Sequence, residues 1–162
     1  MNAYDVLREH HKLLHHLGGQ MITAPPGSTE RAERTQELLI EFDIHMRIED
    51  DVYYPALAAA STLIAIAHAE HRQIYDQLAV ALRTSPKSPD YQPEWESFLT
   101  VLSAHAEEEE RDLIPPPAPI DLSDEELDYL GREMSLRMDQ LRESAFEKFH
   151  VEARAALLRC FL

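Results

Sequence analysis

A histidine and a glutamate four residues apart, followed by proline six residues later, occur twice in this chain. His45-Met-Arg-Ile-Glu49 runs on to Pro55, and His105-Ala-Glu-Glu-Glu109 runs on to Pro115. On a helix, residues i and i+4 share a face and stand about 6 Å apart along the axis, so each pair forms a two-pronged claw. Proline ends or kinks a helix, which puts each claw near a helix terminus. Upstream of each claw stands a Glu-His pair: Glu9-His10, with His10 35 residues before His45, and Glu70-His71, with His71 34 residues before His105. The chain therefore reads as two copies of EH…HxxxE. Together the claws and single histidines offer four imidazoles and two carboxylates. Neutral imidazole and carboxylate suit iron, manganese or zinc, and six donors exceed what one tetrahedral ion takes. A two-metal site follows, with Glu49 and Glu109 as candidate bridges.

The rest of the sequence predicts an all-α fold in which four helices carry these residues. The first runs from Ala3 to about Met21, with Asn2 as N-cap and Asp5 in the first turn. Pro25-Pro26-Gly27-Ser28 ends it, and the second runs from near Thr29 to about Tyr54. The third follows Ser61 and reaches about Arg83. The fourth begins between Asp90 and Pro93, turns Trp95, Phe98, Leu99 and Leu102 inward, and stops before Pro115. Short connections make an up-down-up-down four-helix bundle the expected topology. At 1.5 Å per residue, His10 lies roughly 12 Å from the start of its helix and Glu49 about 8 Å from the end of its own. His71 and Glu109 repeat the relation, so all six candidate ligands fall at one level of the bundle.

The tail reads as one or two further helices. Ser123-Asp-Glu-Glu126 is a capping box opening a helix with the apolar stripe Leu127, Leu130, Met134, Met138 and Leu141. Ser144-Ala-Phe-Glu147 reads as a second capping box, opening a sixth helix striped by Phe146, Phe149, Ala153, Leu157 and Phe161. Residues 1–117 are then a metal-binding bundle and 118–162 a helical extension that caps it or forms a dimer surface. The protein is expected to be a monomer or a weak homodimer through these C-terminal helices. The single ExxH pair, Glu147 and His150, is too little for a ferritin-like site, which needs two such motifs and two further glutamates.

Composition narrows the function. Thirty acidic residues against fifteen basic ones give a formal charge of −15, which disfavours a phosphate backbone or an anionic bilayer, so neither nucleic acid nor membrane is an expected partner. No stretch approaches 18 uninterrupted apolar residues, and the N-terminus lacks the basic-then-apolar pattern of a signal peptide. With one cysteine, Cys160, no internal disulfide can form, and a cytoplasmic location fits.

These residues resemble the hemerythrin-like, or HHE cation-binding, family, whose bundle holds a nonheme diiron centre through the order His, HxxxE, His, HxxxE. The resemblance covers about residues 3 to 117 and extends to short actinobacterial members. It places the metal ligands at His10, His45, Glu49, His71, His105 and Glu109. One departure stands out: oxygen-carrying hemerythrins have HxxxH on the third helix, and here the second position is Tyr75. His68, three residues before His71, is a less natural substitute, and Tyr53, Tyr54 and Tyr75 are the phenols expected nearby. Tyr54 is favoured to complete the coordination, because a residue before proline is biased out of helical geometry and could swing back beside Glu49. A phenolate would favour ferric iron. The expected cofactor is thus two iron ions, with manganese or zinc as alternatives. The expected function is redox chemistry on hydrogen peroxide or nitric oxide, catalase-like or peroxidase-like. The alternative is an oxygen, nitric oxide or iron sensor or carrier without turnover. His11 and His15, Glu9 and Glu70, and Glu107, Glu108 and Glu110 are expected on the surface.

Overall fold

The computed structural model describes the backbone of residues 1–160 and the side chains of residues 1–148. It is all-helical among the described residues: α1 (Ala3–Thr23), α2 (Thr29–Ile48), α3 (Ser61–Arg83), α4 (Tyr91–Asp112) and α5 (Asp124–Cys160). Helix α1 starts as its sequence requires: Asn2 accepts from the Asp5 N–H at 3.0 Å and Asp5 accepts from the Asn2 N–H at 3.3 Å. Ser28 caps α2 by accepting from the Arg31 N–H at 3.0 Å, after Gly27 has turned the chain at φ +77°. The buried Arg31 guanidinium ties the same corner together, donating to the carbonyls of Ile22 and Ala24 and to Gln92 of α4.

Two apolar clusters fill the bundle. Leu14, Met21, Leu38, Phe42, Ile74, Leu78, Trp95, Phe98 and Leu102 form one. The other contains Val6, Leu7, Ile44, Ile48, Tyr53, Tyr54, Leu57, Ala67, Leu113 and Ile114. Each fully buried large aliphatic or aromatic side chain contributes about 1.5–3 kcal/mol of hydrophobic stabilisation. Between the clusters lies a layer of buried His10, His11, His45, Glu49, His71, His105 and Glu109. Such a layer costs stability, since buried ionisable groups lose hydration. Its position follows from the register anticipated above: each helix passes the same depth with a titratable residue.

Two expectations about the elements need correction. Helix α2 does not run regularly to Tyr54. At Glu49–Tyr53 it widens into a π turn, followed by a short helical turn Tyr54–Ala56. Pro55 has no N–H to donate, and its ring would press on the carbonyl four residues back, so the widened turn accommodates it without breaking the helical path. The second correction concerns the tail. Ser144 and Glu147 do not open a sixth helix, because α5 continues unbroken from Asp124 to Cys160. Ser-x-x-Glu caps only where the backbone leaves helical geometry, and no glycine or proline interrupts Leu141–Lys148. The Ser123 and Glu126 box does start α5, with Ser123 Oγ accepting from the Glu126 N–H and Glu126 accepting from the Ser123 N–H. Leu127, Leu130, Met134 and Met138 then join the apolar cluster of α1 and α2, so this stretch covers the bundle. The expected stripe positions Phe149, Ala153, Leu157 and Phe161, and His150, lie outside the described side chains.

Candidate metal centre

Four imidazoles turn their Nε2 atoms into the buried layer. His45 Nε2 lies 2.8 Å from Glu49 Oε1, and His11 Nε2 lies 3.2 Å from Glu109 Oε2 and 3.9 Å from Glu49 Oε1. On the other side, His71 Nε2 is 2.9 Å and His105 Nε2 3.5 Å from Glu49 Oε2, and the two nitrogens face each other at 3.2 Å. The donor atoms thus fall into two groups: His11, His45, Glu49 and Glu109, and Glu49, His71 and His105, each with its atoms within 4.8 Å of one another. Glu49 belongs to both, with one carboxylate oxygen toward each.

The donors suit metal ions on a test internal to the structure. His11 Nε2, His45 Nε2, Glu49 Oε1 and both Glu109 oxygens are buried with no hydrogen-bond partner. They are close enough to attract one another yet not aligned as hydrogen bonds, as expected of atoms aimed at a common centre. Buried polar groups are rarely left so, and cations would satisfy all of them.

Three of the four imidazoles are hydrogen-bonded from behind, whereas the Nδ1 of His71 has no hydrogen-bond partner. His11 Nδ1 bonds Glu110 at 2.7 Å, His105 Nδ1 bonds Glu70 at 2.7 Å, and His71 Nδ1 lies 3.4 Å from Asp50. His45 Nδ1 instead meets His10 Nδ1 at 3.2 Å, and His10 Nε2 bonds Glu41 at 2.8 Å. A carboxylate only accepts, so His10 Nε2 carries the proton and a neutral His10 accepts at Nδ1 from His45. His45 Nε2 is left as a lone pair facing inward. Arg142 of α5 clamps Glu41 with two contacts of 2.9 Å, so α5 reaches His45 through a chain of three side chains. Outer partners of this kind set the tautomer and orientation of metal-binding histidines.

His45, Glu49, His71, His105 and Glu109 converge as expected. His10 does not join them: its two nitrogens are taken by His45 and Glu41. His11, expected on the surface, is buried and supplies the fourth imidazole. The physical signal was the spacing: His11 precedes His45 by 34 residues, the interval from His71 to His105. The repeat thus aligns His10-His11 with Glu70-His71, and His10 occupies the role that Glu70 plays for His105. Glu70 and Glu110, also read as surface residues, hold imidazoles. Glu9 is exposed and pairs with Lys12. Glu41, not singled out in the sequence, lies four residues before His45 on the same face.

The phenols divide sharply. Tyr54 Oη stands 3.4 Å from both Glu49 Oε2 and His71 Nε2. It arrives by a route other than the expected one, since its backbone is helical at φ −62° and ψ −37°. The π turn brings it there, because the Tyr54 N–H bonds the Glu49 carbonyl and so stacks the two residues. Tyr53 donates to the Leu113 carbonyl, and Tyr75 is 43% exposed against Phe42, so neither reaches the donor atoms. His68 is half-exposed beside Asp50.

Electrostatics in the metal-free layer follow from burial and the two carboxylates. Burial alone would lower His11 and His105, but bonds to Glu109 and Glu49 raise His11 to about 10, and bonds to Glu49 and Glu70 raise His105 to about 10. Burial pushes His45 down to about 3 against the pull of Glu49. Burial also opposes ionisation of Glu49, yet the surrounding imidazoles of His45, His105 and His11 hold its carboxyl well below the usual range. Glu109 rises to about 7 through burial and the charge of Glu49. Burial, then the charges of Glu49 and Glu109, push the Tyr54 phenol well above its usual value.

A helical bundle with this donor layer is a cation-binding bundle, and residues 2–116 match the Hemerythrin HHE cation binding domain: the chain belongs to that family. It is similar to the crystal structure of a Hemerythrin HHE cation binding domain-containing protein, the Rv2633c homolog from Mycobacterium kansasii. The two are 57% identical, with a TM-score of 0.89 and 98% of each chain covered. Mycobacterium tuberculosis Rv2633c and Mycobacterium bovis Mb2666c are each 52% identical over 159 residues, spanning 98% of this chain and 99% of theirs. Among the described residues no single helix is long and apolar enough to cross a membrane.

Proposed function

We propose that this protein is a nonheme diiron protein that performs redox chemistry on a small oxidant, hydrogen peroxide before nitric oxide. The observation that carries the reading is Glu49, whose two oxygens lie in two separate donor groups. A carboxylate so placed would be able to hold two ions, one with each oxygen. His11, His45 and Glu109 would complete one position, and His71 and His105 the other, where Tyr54 is the remaining oxygen within reach. When bound, an iron pair supplies Lewis acidity and two electrons in one-electron portions.

The chain's own residues do the rest. Glu110, His10 and Glu70 fix the rings of His11, His45 and His105, so their Nε2 atoms face inward without rearrangement. The donors themselves are buried between the two apolar clusters, which strengthens the charge interactions among them. Glu109, near 7 before metal enters, is about half protonated at neutral pH, and cations would displace that proton. Tyr54 keeps its proton in the metal-free protein, and coordination would require a cation to expel it.

The test is metal content and visible absorption of aerobically purified protein, wild type and Tyr54→Phe, followed by peroxide addition. Two irons per chain, a phenolate-to-iron band absent from the variant, and sustained oxygen evolution are expected. A colourless zinc protein would overturn the proposal.

A further inference from the structure

A cavity of about 500 Å³ opens between α1 and α4 and reaches His11 and His45 at the metal layer. Its walls are mostly apolar, with Leu14 and Ile22 from α1 and Leu99 and Leu102 from α4, and His15 and Ser103 add polar groups. At Gly18 the two helices touch, since a Cβ there would lie 2.7 Å from Leu99 Cδ2, whereas a Cβ at Gly19 would meet nothing within 4 Å. The volume is out of scale with hydrogen peroxide, a molecule little larger than water with its share of about 30 Å³. It falls instead among pockets of roughly 300–1,000 Å³ that take organic ligands.

The charges around the cavity select among such ligands. Glu107 and Glu110 line it, and its one lysine, Lys12, is already paired with Glu9 at 2.7 Å. With a formal charge of −15 on the whole chain, an anionic ligand such as a fatty carboxylate is repelled. A neutral molecule with an apolar body and one hydrogen-bonding end fits, its polar end toward the metal layer and its body against the leucines.

We propose that this cavity binds organic hydroperoxides, and that these join hydrogen peroxide as substrates of the metal centre; the inference rests on the redox reading above. The reaction is ROOH + 2 R′SH → ROH + R′SSR′ + H2O, with a thiol as the reductant. The O–O bond breaks, the distal oxygen leaves as water, the proximal oxygen becomes the alcohol, and the two thiols give up two electrons and two protons to form a disulfide.

The experiment uses full-length, iron-loaded protein. Its first readout is calorimetric titration with 2-phenyl-2-propanol, the unreactive alcohol corresponding to cumene hydroperoxide. The second is kcat/KM for cumene hydroperoxide relative to hydrogen peroxide, with dithiothreitol as reductant. Wild type binds the alcohol at one site per chain and prefers the organic peroxide. Leu99→Trp and Gly19→Leu, which fill the cavity, weaken alcohol binding and lower the preference, each by about tenfold or more, the scale at which a hydrophobic pocket responds to a few methylenes. Gly19→Leu also replaces a helix-interior glycine by a better helix former, so loss of fold cannot account for its effect. Absence of saturable binding, or binding that ignores both variants, overturns the assignment. Turnover of hydrogen peroxide with none of cumene hydroperoxide overturns the substrate class and leaves the redox reading standing. Variant-sensitive alcohol binding with neither peroxide consumed overturns the redox reading and the substrate assignment with it.

Discussion

Exchanging which of two adjacent histidines is lost separates the donor set seen here from the one suggested by the motif. His10→Ala removes the 3.2 Å contact to His45 and the 2.8 Å contact to Glu41 but none of the convergent donor atoms. Glu41 keeps both 2.9 Å contacts to Arg142, so no buried carboxylate is orphaned. His45 loses the acceptor that fixes its ring. Removing an outer partner of this kind typically costs 10–100-fold in metal affinity, about 1.4–2.7 kcal/mol. His11→Ala instead deletes a donor and leaves Glu109 without the imidazole 3.2 Å away. The first position then retains three donors, two of them carboxylates. The assay is metal content after dialysis against a weak chelator, followed by competition titration. His10→Ala should retain two metals with the weakened affinity, and His11→Ala should retain one. Two metals in His11→Ala with one in His10→Ala would refute the assignment.

Three further outcomes follow. In the metal-free protein His11 and His105 are raised to about 10, so each carries a proton at neutral pH that metal must displace; apparent affinity should rise with pH between about 7 and 9 by up to tenfold per unit for each proton, and pH-independent affinity in chelator competition would sink this. The same raised values act oppositely on the stability of the metal-free chain: their contribution is full below the unfolded value of 6.5 and is lost as pH rises through about 10, so metal-free protein should melt lower in alkali. At Gly131, where α5 crosses the start of α1, an added Cβ would stand 2.5 Å from the Met1 carbonyl oxygen and 2.8 Å from the Asn2 carbonyl carbon. Gly131→Ala should therefore destabilise by about 1–3 kcal/mol, and an unchanged melting temperature would contradict that close approach.

The helices, their caps and the shared depth of the donors were legible because each rests on local rules: Asn2 and Ser123 as caps, proline punctuation, and apolar periodicity through Phe42 and Trp95. What escaped was set by features one residue wide. The π turn at Glu49–Tyr53 depends on Pro55 and on packing together, and its i+5 stacking is what delivers Tyr54. Choosing His10 over His11 turned on a one-residue shift, about 100° around a helix. The equal 34-residue spacings held the answer, but the matching Glu-His dipeptides pointed elsewhere. Glu41, Glu70 and Glu110 are individually indistinguishable from solvated surface acids until the bundle brings each against an imidazole. In α5, Ser144 and Glu147 satisfied a capping pattern that an uninterrupted helix overrode.

The central claim is that Glu49 joins two metal positions. Its most direct test is anaerobic iron titration of the metal-free protein, then oxidation and electron paramagnetic resonance, on wild type and Glu49→Ala. The account predicts two irons per wild-type chain with their ferric spins coupled, leaving no isolated ferric signal, and loss of that coupling in the variant. One iron per wild-type chain, or two irons giving independent ferric signals, would contradict it.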